Sequence, residues 1–169
     1  MKLDISEKES QLAKRPHNLF MLNLALCHLL MTPAAIALDI GLWGMLLPLS
    51  FSLSIILFTW LHSNNIQQAG NQFVYLHWKL AVKRYSYLLI SYGATFFLLA
   101  LGMLVASTTP DTHMQHILQT VFVRIAIMPV LIMVMINFYL ESNAINQATA
   151  GEIPDALLKQ YSPESQPCE

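Results

Sequence analysis

Arg124 stands in an otherwise apolar run, where a charge at the centre of a bilayer would cost about 2.5 to 3.5 kcal/mol on insertion scales. Glu141 lies 17 residues further on, about 25 Å of helix, which places Arg124 near a membrane surface rather than at mid-depth. Asp39 ends the first apolar run and falls at a similar level, so an Asp39 and Arg124 pair would neutralise both charges. Three polar residues lie deeper: Asn23, His28 and Asn137. Together these five are the candidate structural or transport groups. Asn23 and His28 are expected to hydrogen-bond between helices.

The six histidines raise the chemistry of haem and metals. Haem between two imidazoles needs histidines of matching depth on facing helices. His28 is the one histidine at mid-span, with His17, His62 and His77 toward one face and His113 and His116 toward the other, so no haem is expected. Asp111, His113 and His116 are spaced for one face of a helical turn. Zinc, however, wants four ligands or three and a water, and Asp111 can serve instead as a helix cap. No metal site is expected there. The chain has no glycine-rich phosphate loop, no His-Glu-x-x-His, no Cys-x-x-Cys, and no Ser/His/Asp set at one depth. We therefore expect no catalytic residues, no cofactor and no enzyme activity.

What must position these groups follows from composition. The chain of 169 residues is 55% hydrophobic and only 11% charged, whereas soluble domains run nearer a quarter charged. In water so small a domain would expose large apolar patches. Lipid is the solvent this composition suits, and a net charge of -1 excludes electrostatic nucleic-acid binding. Cys27 lies in an apolar run and Cys168 is penultimate, so both are read as free thiols. Leu26 is too bulky for a lipidation box before Cys27.

Four stretches are long enough to cross a hydrocarbon core of about 30 Å: Asn18 to Leu38, Trp43 to Leu61, Tyr85 to Ala106, and Ile117 to Leu140. Ala34, Ala35 and Ala37 resemble a signal-peptidase site, but the leading segment carries Asp4, Glu7 and Glu9 and the apolar run continues, so the first span is expected to stay. Eight of the nine lysines and arginines fall on one side of a four-span arrangement. The positive-inside rule then puts both termini and the central loop in the cytoplasm, with the cytoplasmic, inner membrane as the location. Trp60, Trp78, Tyr85, Tyr87 and Tyr139 are expected at the inner interface and Trp43 at the outer one.

An internal repeat organises the chain. Trp60 to Ala69 and Tyr139 to Ala148 share the pattern aromatic-Leu-x-Ser-Asn-x-Ile-x-Gln-Ala, Lys14-Arg15 and Lys83-Arg84 precede spans one and three, and Pro48 and Pro129 lie in spans two and four. The expected fold class is an all-α integral membrane protein with four transmembrane helices as two parallel-repeat helical hairpins. Residues 1–17 form a cytoplasmic N-terminal segment, 18–150 the transmembrane domain with a cytoplasmic helical projection at 62–84, and 151–169 a flexible cytoplasmic tail. Within 71–84, aromatic and aliphatic residues mixed with cations predict an interfacial helix.

The repeated exits place Ser63, Asn64, Gln67, Ser142, Asn143 and Gln147 on helix ends beyond the lipid, as candidates for docking a partner. Gly93, Ala94, Gly102 and Ala106 would let another helix approach span three. These features lead to a non-enzymatic accessory or assembly subunit of a larger membrane complex. The competing expectation is a small transporter or channel acting as a homo-oligomer. Its partners in either case are membrane lipid and a protein or second copy within the membrane.

Overall fold

The computed structural model describes residues 3–38, 41–67, 71–153 and 157. Nearly all of them are helical. Helix α1, Glu7–Asn23, begins with a capping box: the Ser6 hydroxyl accepts from the Glu9 amide at 3.3 Å, and the Glu9 carboxylate accepts from the Ser6 amide at 2.8 Å. The chain then widens into a π-helical segment, Leu24–Met31, before α2, Thr32–Ala37. Pro33 lies just beyond it and has no N–H to give the Leu29 carbonyl, so an α-helical ladder cannot run unbroken through this region. Thr32 closes the segment by donating its hydroxyl to the Cys27 carbonyl at 2.8 Å.

Helices α3, Gly41–Gln67, α4, Gln72–Ser107, and α5, Thr112–Ala150, follow. Asn71 starts α4 by accepting from the Val74 amide at 3.1 Å, and Asp111 starts α5 by accepting from the His113 amide at 2.9 Å. Four stretches are long and apolar enough to cross a membrane: Glu7–Ala35, Leu46–Ile66, Gln72–Ser107 and Thr112–Ala150. This makes the chain a multi-pass membrane protein in general class. The 39 residues of α5 extend about 58 Å, well beyond a hydrocarbon core of about 30 Å. Both exit segments do continue as helix, α3 to Gln67 and α5 to Ala150.

Two compact units divide the chain, residues 1–84 with 138–169, and residues 85–137. Neither boundary follows the halves of the sequence repeat. In the first unit, the start of α1, the start of α4 and the end of α5 enclose a core of Ala13, Phe73, Val74, Leu76, Trp78, Leu80, Ala144, Ala148, Ile153 and Leu157. The segment 71–84 is thus the first part of α4, and its apolar side chains are buried in protein where an interfacial helix would have laid them in headgroups. Trp60, Tyr87 and Tyr139 are exposed, as membrane anchors must be, whereas Trp78 and Tyr85 are buried. The side chain of Trp43 lies outside the described residues.

Gly151 ends α5 at a φ of 72°, and the Glu152 amide bonds back to the Gln147 carbonyl at 2.9 Å. The Gly151 carbonyl in turn accepts from the Leu3 amide at 2.8 Å, which ties the two ends of the described chain together. Of the tail expected to be flexible, Ile153 and Leu157 enter the core; residues 154–156 and 158–169 lie outside the described residues. In the second unit, the Thr95 hydroxyl of α4 donates to the Ala126 carbonyl of α5 at 2.7 Å, and Gly102 lies against Phe122.

Candidate functional site: a buried cluster of ionisable side chains

In the first unit, buried ionisable side chains from three helices come together: His17 of α1, His77 and Arg84 of α4, and Glu141 of α5. Each is brought there by the apolar residues around it. Ala13 and Phe20 place His17 on the buried face of α1, Phe73, Leu76, Leu80 and Ala81 do the same for His77 and Arg84, and Ala144 and Ala148 continue the buried face below Glu141. His17 and Glu141 are both fully enclosed, at 0% exposure, so neither can exchange its partners for solvent without the helices parting.

Glu141 uses both carboxylate oxygens. Its Oε2 lies 2.6 Å from His17 Nδ1, and its Oε1 accepts from Arg84 Nη1 at 3.2 Å. Arg84 Nη1 also donates to the Leu140 carbonyl at 2.7 Å. The other ring nitrogen of His17, Nε2, lies 3.0 Å from His77 Nδ1, with the two rings nearly perpendicular at 88°. His77 Nε2 is buried short of a hydrogen bond of ordinary geometry, beside the Glu152 backbone. The result is an unbroken line of polar contacts from Arg84 through Glu141 and His17 to His77. Arg84 and Glu141 balance each other's charge, as burial of an ion pair requires.

A second polar group lies between α1, the π-helical segment and α3. Asn23 Nδ2 donates to Ser52 Oγ at 3.1 Å, and Ser52 Oγ lies 3.5 Å from His28 Nε2. All three side chains are buried. Asn23 and His28, expected as hydrogen-bonding partners, thus meet through Ser52. Asn23 Oδ1 remains buried without a partner.

The other sequence candidates separate. Arg124 is exposed on α5, and Asp39, its expected partner, lies outside the described residues. Asn137 is fully buried in the second unit, with neither side-chain polar atom bonded. Asp111, His113 and His116 are all exposed, and the Asp111 carboxylate is the α5 cap. Among the exit residues, Ser63 is buried with its hydroxyl unpaired, and Asn64 is exposed and accepts from Lys79 at 3.2 Å. Ser142 and Asn143 are exposed, Gln147 is half-buried, and the Gln67 side chain lies outside the described residues. The repeat-matched serines therefore face opposite ways: Ser63 inward, Ser142 outward.

Sequence reasoning missed the cluster itself. The sequence places His17 and His77 only near one membrane face, makes Arg84 one cation of an interfacial helix, and offers Glu141 only as a depth marker. The available signal was their shared depth, together with Glu141 being the single acidic residue between Asp111 and Glu152. Compared with family models, curated proteins and solved structures, the chain matches none.

Proposed function

We propose that this chain is a small polytopic membrane protein acting as a non-enzymatic accessory or assembly subunit of a larger membrane complex. The observation that carries this reading is that both oxygens of Glu141 are engaged by His17 and Arg84 of the same chain. A carboxylate so enclosed fastens α1, α4 and α5 together instead of meeting a substrate. The α5 exit meanwhile leaves Ser142 and Asn143 exposed as polar docking groups on a rigid helix end. Two parallel-repeat hairpins, related by the Ser-Asn-x-Ile exits, remain the arrangement that the sequence favours. Native purification in mild detergent tests the reading: a stoichiometric protein partner is expected, and replacing Asn143 by Arg should release it. Recovery of a homogeneous homo-oligomer alone would overturn it.

The second reading, a small transporter or channel acting as a homo-oligomer, is favoured by the Asn23, Ser52 and His28 group, whose open Asn23 oxygen offers a polar contact within the span. Solute or ion flux in reconstituted vesicles, lost in Asn23→Leu, would support it.

The charge distribution supports an orientation with both termini in the cytoplasm and the inner membrane as the site. In a background lacking Cys27 and Cys168, a cysteine at Thr109 should react with an impermeant maleimide from outside the cell, and one at Asn143 only after permeabilisation. The reverse pattern would invert the topology.

A further inference from the structure

We infer that the π-helical segment Leu24–Met31 is a register switch set by Pro33: wound as it is, it brings Asn23 and His28 together on Ser52, and wound as an α-helix it takes His28 away. This inference is independent of whether a partner docks or a solute passes, because every group in it belongs to one compact unit of this chain.

The spacing of the side chains carries it. His28 follows Asn23 at the fifth position, and five residues of α-helix turn about 500°, which leaves two side chains about 140° apart around the axis. A neighbouring helix that meets the first is then turned from the second. In a π-helix the hydrogen bond reaches the fifth residue along, so residues at that spacing come nearly into line. Both side chains then reach α3: Asn23 Nδ2 donates to Ser52 Oγ at 3.1 Å, and His28 Nε2 lies 3.5 Å from the same oxygen. Burial follows the same winding. Asn23, Leu24, Cys27 and His28 are buried while Leu26, Leu29 and Leu30 are exposed, whereas an α-helix burying the first three would carry His28 to the edge of that face. Cys27 and Thr32 repeat the spacing: the Cys27 carbonyl accepts from both the amide and the hydroxyl of Thr32, the latter at 2.8 Å.

Pro33 is the residue that keeps the winding wide. On an α-helical path its ring would press on the Leu29 carbonyl and give that carbonyl no amide, and the wider turn ahead of it relieves the contact. The opposing pull is the general preference for α-winding, which makes π-helical stretches rare. Few contacts hold the balance: those to Ser52 and the Thr32 hydroxyl. Asn23 Oδ1 is buried without a partner, so the polar group is one hydrogen bond short of complete. Hydrogen bonds between membrane helices are individually weak, so one residue decides which winding is kept. The two windings differ in whether the polar group inside the span is assembled.

The test is NMR of the full chain in micelles with labelled histidine, asparagine and serine, reading proton–proton contacts to Ser52. The unmodified chain should show two, one from the His28 ring and one from the Asn23 amide. In Pro33→Ala the His28 contact should be lost and the Asn23 contact kept, with the backbone shifts of 24–31 moving to α-helical values. Removing Leu26, which is exposed within the segment, from the Pro33→Ala chain leaves His28 four places after Asn23, on one face of an α-helix. The His28 contact should then return, a rescue by deletion that general loosening of the helix would not give. Two results would overturn the switch. One is a His28 contact that survives in Pro33→Ala; the other is a contact that stays lost once Leu26 is removed. Should both variants fail to fold, the unmodified chain decides alone, by showing the two contacts to Ser52 together or not.

Discussion

Glu141 and His17, 124 residues apart in sequence, meet at 2.6 Å with both side chains withdrawn from solvent. Arg84 completes the contact from a third helix. Breaking a buried ion pair by removing one member costs about 3 to 5 kcal/mol, because the remaining charge stays buried and unbalanced. Glu141→Ala should therefore destabilise the first unit by that order. In a double-mutant cycle, His17→Ala and Glu141→Ala should couple by at least about 1 kcal/mol. Unfolding in mixed micelles measures both; additive losses would show that the contact carries no energy of its own.

Gly151 calls for a smaller, sharper experiment. Its φ of 72° disfavours any side chain, and a Cβ there would stand 2.5 Å from the Leu3 carbonyl oxygen. Gly151→Ala should cost about 1 kcal/mol or more. The loss should be local, with faster amide exchange at Leu3 and Glu152 and little change in the second unit.

Gly93 and Gly102 are both small residues of α4, yet their surroundings predict opposite outcomes. A Cβ on Gly93 meets nothing within 4 Å, so Gly93→Ala should be neutral or stabilising by up to about 1 kcal/mol through helix propensity. A Cβ on Gly102 collides with the Phe122 side chain, so Gly102→Ala should destabilise the second unit by about 1 to 3 kcal/mol. Thermal unfolding of the two variants beside the unmodified protein separates the cases.

Ser52 links Asn23 to His28 from the opposite helix. Hydrogen bonds within membrane proteins average only about 0.6 kcal/mol, since the lipid-embedded unfolded state also finds partners. Ser52→Ala should thus lower stability by about 0.5 to 1 kcal/mol, well below the loss at Glu141. An equal loss at the two sites would mean that the Asn23 group, not the ionic cluster, is the main polar fastening.

The four spans were legible because their signal is local: an uninterrupted apolar run reports its own solvent, whatever it packs against. The α5 cap at Asp111 was legible for the same reason, as one side chain and an amide two residues on decide it. The fate of 71–84 was not. A face bearing Phe73, Leu76 and Leu80 suits a headgroup layer and a protein core equally well, and only the arrival of Ala13, Ala144 and Ala148 selects the core. The matched exits behave in a related way. The shared Leu-x-Ser-Asn-x-Ile pattern leaves Ser63 buried and Ser142 exposed, because burial depends on which neighbour each helix meets.

By itself, then, the sequence determined a helical, multi-pass membrane protein, since helix in lipid needs only apolar length and satisfies its backbone within each segment. Tertiary structure alone decided that His17, His77, Arg84 and Glu141 form one site. Each of those side chains is polar at a depth where solvent, headgroup or protein can take it up. Which of these does so depends on contacts between helices distant in sequence, and no local pattern of residues carries that information.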